Sequence, residues 1–226
     1  MAQLVRASGL HPEGHRFESY SAHKTMVKTI LIDLGGVYFE DGTEKATKKM
    51  YKYIDKPKEV IDRIFKSKPL KEGFLYRKGK LTEKEFWKKA IEKLGIKKDM
   101  IPELKELWFS SYVPIQGTKE IVLKLKENYK MVVCSGNIKE RVDYLNNKYD
   151  FKKNFDEFFF SYEIGFHKWE IDFWKILAKR YNPNECIFID DEQGFFNFAN
   201  RQGFKTILFK SARQLKSDLK GLGINV

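Results

Sequence analysis

Thr29-Ile30-Leu31-Ile32-Asp33-Leu34-Gly35-Gly36-Val37 is the stretch on which the reading of this chain turns. A short, continuous apolar run bounded by a turn predicts a strand buried on both faces, here over 29–33. The run closes on a carboxylate and two glycines. Burying a carboxylate is costly unless it has a partner or a task, and glycines let backbone and ligand come close. Asp33 is therefore the first candidate site residue, although an Asp in this place can also be a simple turn former.

The same pattern recurs along the chain. Met131-Val132-Val133-Cys134 is an apolar run that stops at Ser135-Gly136-Asn137, and Cys186-Ile187-Phe188-Ile189 stops at Asp190-Asp191. Helical stretches are predicted over 119–128, 139–149, 170–181 and 195–202. Further strands are predicted over 157–161 and 206–209. Strands separated by helices of about ten residues imply an α/β fold, a Rossmann-like parallel sheet with helices on both faces. Ligands bind at the carboxyl ends of such strands, where Asp33, Ser135 and Asp190 all fall.

From 41 to 112 the pattern is helical throughout, so this block reads as an insert in an α/β core made of 26–40 and 113–226. Thr82 and Glu85 form a capping-box pattern ahead of Phe86, Ala90, Ile91 and Leu94, which recur at helical spacing before Gly95. Another helix is predicted over 101–108. Residues 1–25 differ from the rest, with no clear periodicity and three of the 4 histidines. Back-translation of Met1-Ala2-Gln3-Leu4-Val5-Arg6-Ala7 and of Arg16-Phe17-Glu18-Ser19 is compatible with the two arm consensus sequences of a transfer RNA gene. A misassigned start, with Met26 as the true first residue, is the expectation; a disordered tail or targeting segment is the alternative.

The 226 residues suffice for one sizeable core and a smaller insert. No apolar stretch approaches the roughly 20 residues that span a membrane, so no membrane partner is expected. The 2 cysteines, Cys134 and Cys186, sit in predicted buried strands and suggest free thiols, hence a reducing, cytoplasmic setting. A net charge of +12 invites a nucleic-acid reading. The lysines alternate with glutamates, as in Lys124-Leu125-Lys126-Glu127, which describes solvated helix faces instead. A basic surface also suits anionic substrates. The oligomeric state is left open.

In order, Asp33, Ser135, Lys168 in Gly165-Phe166-His167-Lys168, and Asp190-Asp191 resemble the four motifs of the haloacid dehalogenase (HAD) superfamily, over nearly everything from Met26 onward. The resemblance implies a Mg²⁺-dependent phosphatase with a helical cap, acting on a small phosphorylated metabolite through an aspartyl-phosphate on Asp33. It implies carboxylate ligands from Asp33 and Asp190, and a third from the Gly35 carbonyl. Phosphate would be held by Ser135, Gly136 and Lys168. Asp191 would hold a metal-bound water or orient Lys168. Read alone, each has a plainer alternative: Ser135-Gly136 as a turn with Asn137 capping the next helix, Lys168 as a surface lysine, and His167 as an exposed loop residue.

The chain departs from the family pattern at three places. Gly35 stands where most phosphatases of the family carry the Asp that protonates the leaving group; losing such a group costs about 10²- to 10⁴-fold in rate. A subgroup of the family does read Asp-x-Gly-(Gly/Asn)-Val here. Trp169 stands for a usual Pro, and Phe195 for a frequent Asn. Glu40, Asp41 and His167 are possible surrogate acids. A catalytically weak or inactive protein that binds a phosphorylated ligand or a protein partner is therefore the alternative reading. In and just before the segment 73–86, Lys71, Arg77, Lys78 and Lys80 cluster near Phe74 and Tyr76, either to grip a second anion or as a solvated basic loop.

Overall fold

The computed structural model describes residues 26–67 and 69–226. The expectation for 1–25 lies outside the described residues. Five strands form one sheet: β1 (Thr29–Ile32), β2 (Lys130–Ser135), β3 (Glu157–Phe160), β4 (Cys186–Asp190) and β5 (Lys205–Leu208). Their spatial order is β3-β2-β1-β4-β5, and every pairing is parallel. The chain lays down β2 and β3 on one side of β1, then crosses to lay β4 and β5 on the other. β1 is thus the switch point, with β2 and β4 as neighbours, and a crevice opens beyond its carboxyl end.

The period-2 alternation of strands sorts their side chains onto two apolar clusters. Ile30, Ile32, Met131, Val133, Ile187 and Ile189 face one cluster. Leu31, Val132, Cys134 and Phe188 face the other, with Phe173, Trp174 and Leu177 from the helix Ile171–Arg180. Both cysteines are buried and free. Burial on both faces is why these strands read as unbroken apolar runs.

Between β1 and β2 come α1 (Gly42–Met50), α2 (Lys58–Phe65), α3 (Glu72–Arg77), α4 (Glu83–Leu94), α5 (Ile101–Ser110) and α6 (Thr118–Lys126). Among the described residues the 41–112 block contains no strand. It does not keep a core of its own: Phe65, Phe86 and Trp108 join the same cluster as Ile30 and Val133. The expected capping box at Thr82 and Glu85 forms, and Gly95 ends α4 in the left-handed conformation. After β2 follow α7 (Lys139–Tyr149), α8 (Ser161–Ile164), α9 (Ile171–Arg180), α10 (Phe196–Arg201) and α11 (Ala212–Gly221). α8 and α11 have no counterpart in the sequence reading. No helix among the described residues is long and apolar enough to cross a membrane.

Candidate active site

Asp33 lies one residue beyond β1, not inside it, and its amide donates to the Ile189 carbonyl at 3.0 Å. That bond ties the end of β1 to β4 and sets Asp33 beside Asp190, the last residue of β4. The turn that follows needs its glycines. Gly36 has φ of +83°, and a Cβ there would stand 2.0 Å from Asp191 Oδ2. The carboxylates of Asp33, Asp190 and Asp191 each bring an oxygen within 4.8 Å of the others.

Lys168 joins this group from the loop before α9. Its Nζ donates to Asp190 Oδ2 at 2.5 Å and pairs with Asp33 Oδ2 at 2.8 Å. The loop is pinned in place: the Lys168 carbonyl accepts from Trp174 Nε1 at 2.8 Å, and the His167 amide donates to Glu170 Oε2 at 2.8 Å. Lys168 is only 2% exposed, so it is no surface lysine. Burial works to lower its ammonium, but the charges of Asp190 and Asp33 overcome this and hold it well above the usual lysine range. Orienting Lys168 falls to Asp190; the expected contact from Asp191 is not made.

The metal question is one of charge. Burial, then the nearby Asp33, pushes the Asp190 carboxyl up, against the pull of Lys168. Asp191, exposed overall, is pushed up to about 6 by desolvation around its carboxyl and by Asp33. One ammonium faces three carboxylates. Asp33 Oδ1 is also buried with no hydrogen-bond partner, which is costly for a carboxylate oxygen. An all-oxygen donor set with an orphaned buried oxygen fits a hard divalent cation such as Mg²⁺. Asp33, Asp190 and Asp191 could supply carboxylates to it, and Gly35 lines the same cleft.

Ser135, the last residue of β2, is 2% exposed and accepts a long hydrogen bond from Asn137 Nδ2 at 3.4 Å. Ser135 and Gly136 line the cleft with Asp33 and Lys168. Asn137 does not cap α7; its Oδ1 accepts from Arg141 Nε at 2.8 Å, locking the first turn of that helix. His167 is buried, not an exposed loop residue. Its Nε2 would lie 2.6 Å from a Cβ at Gly136. Burial, and then the charges of Arg77, Lys168 and Lys78, push it well below the usual histidine range, so it is neutral at pH 7.

The three departures from the family pattern each have a packing consequence. At Gly35, a Cβ would stand 3.2 Å from Tyr112 Cε1, so Tyr112 crowds the space a side chain would enter. Phe195 sets its ring under Lys168 Nζ at 4.7 Å, a cation–π contact. Trp169 packs on Phe195 and over Gly194. Of the surrogate acids, Glu40 is paired with Lys45, and Asp41 caps α1 through Glu44 N at 3.0 Å while lining the cleft.

Cleft residues not assigned to the site from sequence include Thr43, Tyr112, Asn137 and Arg141. Thr43 and Tyr112 carry no pattern of their own. Arg141 did have a signal, since it stands four residues after Asn137 on a helix. Arg77, grouped with a basic loop, is 3% exposed, so the solvated-loop alternative fails for it. Phe74 and Tyr76 are buried as well.

No family model matches the chain. An uncharacterized Dictyostelium discoideum protein is 29% identical over 162 residues, 70% of this chain and 69% of that protein. A D-ribitol-5-phosphate phosphatase from Bacteroides thetaiotaomicron is 22% identical over 210 residues, 86% of this chain and 97% of the enzyme. The crystal structure of a HAD family enzyme from the same bacterium superposes with a TM-score of 0.70 at 22% identity, covering 86% of this chain and 98% of that one. That enzyme was also solved in complex with magnesium and inorganic phosphate, a form that superposes with a TM-score of 0.66 at 23% identity over 82% of this chain and 95% of that one. With this strand order, and with such likeness across most of its length, the chain has the fold of the HAD superfamily.

Proposed function

We propose that the protein is a Mg²⁺-dependent phosphatase that cleaves a small phosphorylated metabolite through an aspartyl-phosphate on Asp33. One observation carries this reading. At the carboxyl ends of adjacent strands Asp33 meets Asp190 and Asp191, with Lys168 from a neighbouring loop, and Asp33, Lys168, Asp191 and Ser135 line one cleft of about 270 Å³. That is at the small end of ligand pockets. The names of the Bacteroides relatives point the same way, and D-ribitol 5-phosphate is a natural first substrate to try.

Mg²⁺, held by the carboxylates of Asp33, Asp190 and Asp191, would neutralise charge so that an anionic nucleophile can approach an anionic phosphoryl group. A carboxylate oxygen of Asp33 attacks phosphorus, and the P–O bond to the leaving alcohol breaks. Lys168, anchored by Asp190, neutralises Asp33 and the transferring oxygens. The Ser135 hydroxyl and Gly136 amide orient the phosphoryl group. Water then hydrolyses the acyl phosphate, releasing inorganic phosphate and restoring the carboxylate. With no carboxylate at Gly35, the leaving oxygen takes its proton from water in the cleft, and turnover is slower by about 10²- to 10⁴-fold than with an acid in place.

The test is p-nitrophenyl phosphate hydrolysis with Mg²⁺. Activity should fall at least ~10³-fold in Asp33→Asn, as for loss of other nucleophiles, and vanish with EDTA. Unchanged turnover in Asp33→Asn would defeat the reading. The crowding of Gly35 by Tyr112 favours a second reading, a phosphate-ligand binder with little turnover. It predicts thermal stabilisation by inorganic phosphate and Mg²⁺ in a parent that hydrolyses nothing.

A further inference from the structure

Two buried arginines in the cleft have no ion-pair partner among the described residues. Arg77, at the end of α3, is 3% exposed; Arg141, in the first turn of α7, is 1% exposed. Both line the cleft that holds Asp33. Among the described residues neither forms an ion pair with a carboxylate. Charges are seldom buried without a partner, because removing them from water is costly unless something neutralises them.

Their hydrogen bonds go to neutral groups and leave part of each guanidinium unused. Arg77 donates from Nη1 to the Gly73 carbonyl at 2.9 Å and from Nη2 to Thr43 Oγ1 at 3.3 Å. Arg141 donates from Nε to Asn137 Oδ1 at 2.8 Å and from Nη1 to the same Thr43 Oγ1 at 3.3 Å. Thr43 Oγ1 also accepts from Trp108 Nε1 at 2.9 Å and lies 2.6 Å from Tyr112 Oη. One hydroxyl has two lone pairs, so it cannot satisfy this many donors, and a guanidinium has five. Aromatic faces hold both forks in place. The Arg141 guanidinium stands 4.5 Å from the Tyr112 ring centre, and those of Arg77 and Arg141 stand 5.7 and 5.4 Å from Trp108. Burial and the Arg141 charge push Arg77 down to about 10, with Tyr112 and Asp41 among the groups that oppose this. Arg77 is still charged at pH 7.

We infer that Arg77 and Arg141 form a subsite for a second anionic group, a carboxylate or a second phosphate, on the phosphorylated substrate. The subsite rests on the phosphatase reading for the first phosphate and supplies its substrate class. A rigid fork matches a carboxylate or phosphate through two parallel hydrogen bonds, which a surface lysine cannot do. The subsite lies close to the phosphoryl position: Arg141 is joined to Ser135 through Asn137 alone. A short acid phosphate fits better than a long chain. Because one arginine comes from the helical insert and the other from a helix beside the sheet, the anion also ties the two together.

The test compares two pairs of phosphate esters. 3-Phosphoglycerate and glycerol 3-phosphate differ in a carboxylate; fructose 1,6-bisphosphate and fructose 6-phosphate differ in a phosphate. In the parent, the doubly anionic member of at least one pair should have a kcat/KM about tenfold or more above its partner, as expected for desolvated charge-assisted contacts. That ratio should fall toward one in Arg77→Gln and in Arg141→Gln. The non-turnover variant Asp33→Asn should be stabilised thermally more by the doubly anionic member. Equal rates and equal stabilisation within both pairs overturn the subsite, whether or not the arginine variants fold. If p-nitrophenyl phosphate is hydrolysed while neither pair discriminates, the subsite fails and the phosphatase stands. If nothing is hydrolysed but stabilisation still discriminates, the subsite stands and the phosphatase fails.

Discussion

Residues at the candidate site divide into those whose sequence neighbours explain them and those that only the fold explains. Asp33, Ser135 and Asp190 were legible because each closes an apolar run, and the geometry of a parallel sheet brings such ends together. The burial of Arg77, Arg141 and His167 was not, because a charged or polar side chain in a loop or on a helix carries no local sign of it. His167 makes a prediction at this scale. Its folded pKa is depressed, by burial first and then by Arg77, Lys168 and Lys78. The unfolded chain therefore takes up the proton more readily than the folded one as pH falls through about 6.5. Stability from this group is complete above that pH and is lost below it. Between pH 7.5 and 5.5 the parent should therefore lose stability through His167. Asp190 and Asp191 titrate in both proteins, so the comparison with His167→Gln isolates the histidine. Urea unfolding at the two pH values should show a shallower dependence in His167→Gln; identical dependences would mean that the imidazole is not held neutral.

Among the elements, the strands agree with the sequence to within a residue or two, and the helices of the insert agree in kind. The clearest omission is α11. Its ten residues are mostly polar, so its apolar stripe is thin, yet Leu215 and Leu219 are both fully buried. The signal was present at its start. The Ser211 hydroxyl accepts from the Gln214 amide at 3.2 Å, and the Gln214 side chain accepts from the Ser211 amide at 3.4 Å, forming a capping box. A reading led by hydrophobic period passes over such a helix, while one led by caps finds it. Ser211→Ala should cost about 1 kcal/mol in urea unfolding, as for other cap deletions. A loss below a few tenths would show that packing of Leu215 and Leu219 alone sets the start of α11. Asn137 is the converse case. It looked like a cap, but Arg141 four residues later competes for its oxygen, and the first turn is organised around a buried guanidinium instead.

The whole molecule sets the electrostatics of the site, because three carboxylates and one lysine can meet only where β1, β4 and the loop before α9 converge. On the surface many lysines pair with acidic neighbours, as in Lys105 with Glu83 and Lys139 with Asp143, but inside the cleft the balance is negative near Asp33 and positive near Arg77. The negative half carries a cost in stability. Asp190 and Asp191 are raised in the folded protein, so near pH 7.5 keeping both ionised is more costly in the fold than in the unfolded chain. A divalent cation that binds only the folded state offsets that cost, and at 100-fold above its Kd it adds about 2.7 kcal/mol. For a chain of this size each kcal/mol moves Tm by about 2–4 °C. Saturating Mg²⁺ should therefore raise Tm by about 5 °C or more at pH 7.5. The gain should be smaller at pH 5.5, where protons compete for the same oxygens. It should be lost in Asp190→Asn, while NaCl of equal ionic strength should not reproduce it. If Asp190→Asn kept the full Mg²⁺ shift, the cation would be binding elsewhere, and the three carboxylates would have to be balanced by Lys168 alone.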